Sequence, residues 1–193
     1  MTSKTLCVYC SSSDAVDPVH FAAAEQLGTM MAQSGYRLVY GGSTIGLMGA
    51  VARTVHQCGG QVIGVIPEAL HARGLGYDVA DEFLVTPDLR QRKAAMEARA
   101  DAFIAMPGGF GTLEEIVEVL TLKQLKYHQK PIIFLNTAGF YDPLMTLFEH
   151  FYTCHFAKAE SRALYHFVPK VADIFTYLDS YQPPRLPDKW IKG

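Results

Sequence analysis

Ala102-Phe103-Ile104-Ala105-Met106-Pro107-Gly108-Gly109-Phe110-Gly111-Thr112-Leu113-Glu114-Glu115 decides how this chain folds. Ala102 to Ala105 reads as a buried strand. Beyond the glycines, Ile116-Val117 and Val119-Leu120 recur at the spacing of one helix face. Strand, glycine-rich turn and helix start in direct succession form a geometry that binds phosphate. Free backbone N–H groups and the positive end of the helix dipole converge on the turn. Glycine at 108, 109 and 111 permits positive φ and close approach of an anion. No lysine follows the glycines as in a Walker A loop, and the order is not G-x-G-x-x-G. The turn offers a carboxylate instead, Glu115, one helical turn beyond the anion site.

The same strand–helix alternation runs outward in both directions. Strands are expected at Thr5–Cys10, Arg37–Tyr40, Gln61–Ile66, Phe83–Val85, Asp101–Met106 and Lys130–Leu135. Helices are expected at Pro18–Ser34, Leu47–Cys58, Asp88–Ala100, Thr112–Tyr127, Asp142–Tyr152 and Val168–Tyr181. Gly74 and Gly76 make His71–Asp81 a loop with at most a short helix. Near-continuous Val/Ile/Leu strands between helices mean a parallel sheet covered on both faces. The fold expected is therefore α/β, a Rossmann-like three-layer sandwich. One domain is expected over residues 1–181, with an extended C-terminal tail over 182–193. Ligands of such folds bind at the carboxyl ends of the strands. That rule gathers Ser11-Ser12-Ser13, Gly41-Gly42-Ser43-Thr44 and Pro107 to Thr112, loops suited to a phosphorylated ligand.

Composition narrows the classes. The chain has 193 residues, 49% of them hydrophobic, which argues against disorder. Lysine plus arginine number 17 against 19 acids, so no electrostatic footprint points to nucleic acid or an anionic membrane. No apolar run reaches the roughly 18–20 residues of a spanning helix. A cytoplasmic location is the default. Cys7 and Cys10 form a C-x-x-C inside a predicted strand and, with Cys58 and Cys154, read as reduced structural thiols. The seven histidines lack metal-ligand spacing, so neither a metal nor another cofactor is expected.

Three local patterns carry chemistry. Gly41-Gly42-Ser43-Thr44 opens the second helix and can supply backbone and hydroxyl donors. Thr112-x-x-Glu115 is also a capping box, in which Glu115 would merely accept from the Thr112 amide. Glu118 lies on the same helix face and could bond to Glu115 or raise its pKa. Arg90-Gln91-Arg92-Lys93 sets cations at a helix N-terminus, against the macrodipole, so a phosphate or a carboxylate is the natural partner.

Arg92-Lys93-Ala94-Ala95-Met96 followed by Pro107-Gly108-Gly109-Phe110-Gly111-Thr112-Leu113-Glu114-Glu115 resembles the signature of the LOG ("Lonely Guy") family. Val8 to Ser13, Val39 to Ser43 and Gly46 to Gly49 look like its other loops, so the likeness covers nearly the whole chain. The resemblance implies a Rossmann-like homodimer. It also implies hydrolysis of the N-glycosidic bond of cytokinin riboside 5′-monophosphates or AMP, releasing free base and ribose 5-phosphate. It implies Glu115 and Arg92 as catalytic residues. Ser12, Gly42, Ser43, Leu89, Lys93, Gly108, Gly109, Gly111 and Thr112 would bind substrate. The "lysine decarboxylase" label many members carry finds no Schiff-base lysine setting here. The chain departs from the family at Cys10 and Asp14, where Gly is usual, at Ser43, and at Leu89-Arg90-Gln91 before the Arg-Lys pair. These departures bear on substrate preference.

An Arg92 guanidinium beside Glu115 is expected to lower the carboxyl pKa by about 1–3 pH units, favouring a base or charge stabiliser over an acid. The alternative reading is a nucleotide or molybdenum-cofactor carrier, which needs the glycine turns but not the Arg92–Glu115 pair. A DNA-processing role would call for a basic groove.

Overall fold

The computed structural model describes residues 4–185. Seven strands form one sheet: β1 (Thr5–Tyr9), β2 (Arg37–Tyr40), β3 (Val62–Pro67), β4 (Glu82–Thr86), β5 (Ala102–Ala105), β6 (Ile132–Leu135) and β7 (His166–Val168). Their order is β4-β3-β2-β1-β5-β6-β7 and every pairing is parallel. The helices are α1 (Pro18–Gln33), α2 (Gly46–Gln57), α3 (Glu68–His71), α4 (Leu89–Arg99), α5 (Phe110–Gln124), α6 (Asp142–Thr153) and α7 (Val171–Ser180).

Parallel strands need covered faces, and alternation along β1 supplies both. Leu6 and Val8 join α1, α2 and α7 in one apolar core, while Cys7 and Tyr9 join α4, α5 and α6 in the other. The expected three-layer sandwich is the one observed. The chain steps outward from β1 to β4, then α4 returns it to β5 on the other side of β1. That reversal opens a crevice at the carboxyl ends of β1 and β5, where such sheets bind ligands. All four cysteines are free thiols.

Several expectations change. Helix α5 starts at Phe110, with Gly109 as its N-cap and no side-chain cap. Thr112 therefore lies inside the helix, and the capping-box reading of Glu115 is withdrawn. Strand β7 was not anticipated, and α7 begins at Val171 rather than Val168. A short helix occupies Glu68–His71, just ahead of the segment expected to hold one. Of the tail, Gln182 to Arg185 have no regular structure, and residues 186–193 lie outside the described residues.

Candidate active site

Two glycine turns and the first serine loop meet in a cleft of about 470 Å³ at the switch point. Its polar lining comes from Ser11, Ser12, Ser13, Ser43, Gly109, Gly111 and Thr112. Ile45, Met48, Ile66, Leu70 and Leu75 supply apolar lining. Arg92 and Glu115 line the same cleft.

The stem of the third turn is fixed by its neighbours. The Met106 N–H donates to the Tyr9 carbonyl at 2.9 Å, and the Ser11 N–H to the Pro107 carbonyl at 3.2 Å. The Tyr141 hydroxyl donates to the Met106 carbonyl at 2.7 Å. Each glycine then has its own reason. A Cβ on Gly108 would overlap the folded-back side chain of Thr112, so Gly108 is required for packing. A Cβ on Gly109 or Gly111 would meet nothing within 4 Å and would stand in open space. The first amides of α5 have no acceptor within a helix. Gly109, Phe110, Gly111 and Thr112 all line the cleft, so this helix start faces it uncapped.

Helix α4 delivers the cation. Asp88 caps it, accepting from the Gln91 N–H at 2.8 Å, and Arg92 follows one turn later. Arg92 Nη2 stands 3.0 Å from Glu115 Oε1, and each side chain is only 10% exposed. Gly41, at the end of β2, lets the guanidinium pass, since a Cβ there would overlap it. The Arg92 Nε is buried without a protein partner, a donor left over beside the cleft. Burial pushes the Glu115 carboxyl up to about 7, because the loss of hydration outweighs the opposing pull of Arg92 and Lys93. The lowering expected of Arg92 operates but is outweighed by burial, and Glu115 holds its proton into the neutral range.

The predicted binding residues divide. Ser12, Ser43, Gly109, Gly111 and Thr112 line the cleft. Gly42 does not; its φ of 73° turns the chain, and a Cβ would press on Val65 and Ile66 of β3. Gly108 lies beneath Thr112. Leu89 is 56% exposed and away from the cleft lining. Lys93 pairs with Glu114, and with Glu118 at 2.7 Å; Glu118 therefore does not bond to Glu115, but its charge helps raise that carboxyl's pKa. Sequence reasoning missed the apolar lining. Ile66 was in view as a strand end, and strand ends are where such folds bind. Phe110, 92% exposed at the cleft, was also missed. Among the described residues no cluster of three or more His, Cys, Asp or Glu could hold a metal ion.

Comparison with known proteins adds the context. A family model described as "Possible lysine decarboxylase" matches residues 48–178. A probable cytokinin riboside 5′-monophosphate phosphoribohydrolase of Oryza sativa subsp. japonica is 40% identical over 94% of this chain and 74% of its own length. A cytokinin riboside 5′-monophosphate phosphoribohydrolase of Arabidopsis thaliana is 41% identical over 93% of this chain and 83% of its own. Among solved structures, the molybdenum cofactor binding protein of Rippkaea orientalis is similar in fold. It has a TM-score of 0.72 at 22% identity, covering 93% of this chain and 98% of that one.

Proposed function

Since this chain belongs to the LOG family, matched as possible lysine decarboxylases, we propose that it is a phosphoribohydrolase acting on nucleoside 5′-monophosphates. It hydrolyses the N-glycosidic bond of a cytokinin riboside 5′-monophosphate or AMP, releasing free base and ribose 5-phosphate. The observation that carries this reading is the buried Arg92–Glu115 pair beside an uncapped helix start. The turn holds the 5′-phosphate and thereby sets C1′ against the carboxylate. Cleavage builds positive charge at C1′, which ionised Glu115 stabilises while it accepts a proton from the attacking water; the C1′–N bonding pair leaves with the base, which takes its proton from solvent. Arg92 orients that carboxylate and offers its spare Nε–H to substrate oxygens.

A carrier of the kind named for the Rippkaea protein is the second reading, favoured only by fold similarity. It has no use for a buried acid with a pKa near neutrality. Lysine decarboxylation would require an amine in the site, and no lysine lines the cleft among the described residues.

The reading includes a cytoplasmic homodimer with no nucleic acid or membrane partner. Exposed apolar side chains support self-association: Phe110 at the cleft, Leu89 at the start of α4, and Met145, Leu147 and Phe151 on α6. Phe148 and Tyr152 of the same helix are buried in the core. No described helix is long and apolar enough to cross a membrane.

Three outcomes follow for kinetics. Removing the phosphate removes the anchor, so kcat/KM for adenosine is expected about 10³-fold or more below that for AMP. Equal rates on the two would refute phosphate anchoring. Gly109→Ala leaves folding intact, since its φ is −87° and its Cβ finds open space, yet it intrudes where the phosphate sits. Its KM for AMP rises at least about tenfold with an unchanged melting temperature. Catalysis by ionised Glu115 gives kcat/KM an ascending limb near pH 7, read from a pH profile. A descending limb there would mark Glu115 as an acid instead.

A further inference from the structure

The two glycine turns that open onto the cleft are not alike. Each starts a helix, α2 or α5, and each start brings orphan amides and a positive dipole end. At α5 that start is uncapped. At α2 the chain's own first loop fills it. The Gly46 N–H donates to Asp14 Oδ1 at 2.9 Å, and the Met48 N–H to the Ser11 carbonyl at 3.3 Å. The Ile45 N–H reaches Ser43 Oγ at 3.4 Å. Gly46 has a φ of 60° and lies so close to the Ser11–Ser12 backbone that a Cβ would overlap it. The plugging loop is itself wound by its hydroxyls. The Ser13 N–H donates to Ser11 Oγ at 3.0 Å and the Ala15 N–H to Ser13 Oγ at 3.2 Å.

We propose that Asp14 is a specificity-determining residue that restricts the cleft to ligands carrying one phosphate. The inference rests on the reading of the site as a nucleoside monophosphate hydrolase, and deepens it. With the α-phosphate on the α5 turn, a β-phosphate seeking a second helix start meets amides already taken. It also meets the negative charge of Asp14, which takes the Gly46 amide. Ile45 and Met48, flanking that start, line the same cleft, so the plug lies next to the ligand space. A neutral side chain of the same shape keeps the hydrogen bond to Gly46 and removes the repulsion.

The test is the ratio of kcat/KM for AMP to that for ADP, measured in wild type, Asp14→Asn and Asp14→Ala, with a melting temperature for each. The ratio divides out any general change in activity. Wild type is expected to prefer AMP by about 100-fold or more. Asp14→Asn lowers that preference about tenfold with an unchanged melting temperature, because Asn caps nearly as well as Asp. Asp14→Ala lowers it at least as far while melting earlier. A mere helix cap would give the second melting shift and leave both ratios at the wild-type value, which overturns the proposal. No release from AMP or from isopentenyladenosine 5′-monophosphate by wild type removes the premise and the proposal together. Release from AMP with a fixed ratio removes the proposal alone.

Discussion

Glu115→Gln is expected to lower kcat for base release by about 10³-fold or more, with KM for the nucleotide changed little. The amide keeps the volume and can still accept from Arg92, but it carries no charge for the developing cation at C1′ and takes no proton from water. The same substitution should make the free protein more stable above neutral pH. The folded carboxyl has a pKa of about 7 against an ordinary 4.5. Below pH 4.5 both folded and unfolded states hold the proton, and the group costs nothing. Between 4.5 and 7 the unfolded state gives up its proton first, so stability falls as pH rises. Above 7 the full cost, of the order of 3 kcal/mol, is present. Glutamine never incurs it. Melting curves of wild type and variant should coincide near pH 4.5 and separate by several degrees at pH 8, the variant higher. A variant that melts lower at pH 8 would mean that the Arg92 attraction outweighs burial. Loss of activity with gain of stability marks a residue kept for chemistry rather than for folding.

Gly41→Ala is the second large effect, and it acts through Arg92. The methyl group would overlap the guanidinium and approach Met48 Sδ at 3.0 Å. Arg92 must swing away, breaking the 3.0 Å contact with Glu115. Turnover should fall about 10²–10³-fold, since a displacement near 1 Å suffices for such losses. Overpacking should cost about 1–3 kcal/mol of stability. A structural fault alone would lower activity without moving its pH dependence. Here the carboxyl loses its nearest cation, so its pKa climbs and the ascending limb of kcat/KM shifts to higher pH. An unshifted limb would show that Arg92 does not tune Glu115.

Most of the architecture was legible because apolar runs and glycine stops are local. The segment around Ala102–Ala105 announced both a strand and the turn after it. Strand β7 escaped because three residues, one of them a histidine, carry too little pattern. The capping-box reading failed for a related reason. Thr-x-x-Glu is a local signal, but Gly109 had already begun the helix three residues earlier in the cap position. The pairing of Arg92 with Glu115 could be read from charge and position. The net shift of Glu115 could not, because the burial that outweighs the pull of Arg92 arises only when distant segments pack together. The apolar lining of the cleft was hidden too, since Ile66, Leu70 and Leu75 come from a strand end, a four-residue helix and a loop. Leu89 and Lys93 entered through the family resemblance; neither lines the cleft that Arg92 lines, since a helix sends neighbouring residues in different directions.

The central claim is that this cleft breaks a glycosidic bond rather than storing a nucleotide. Incubating the protein with AMP and with isopentenyladenosine 5′-monophosphate, then separating the products by chromatography, tests it directly. The account predicts free base and ribose 5-phosphate in equal amounts from at least one of them, and neither product with Glu115→Gln. Intact nucleotide recovered bound to the wild-type protein, with no base released from either substrate, would contradict it.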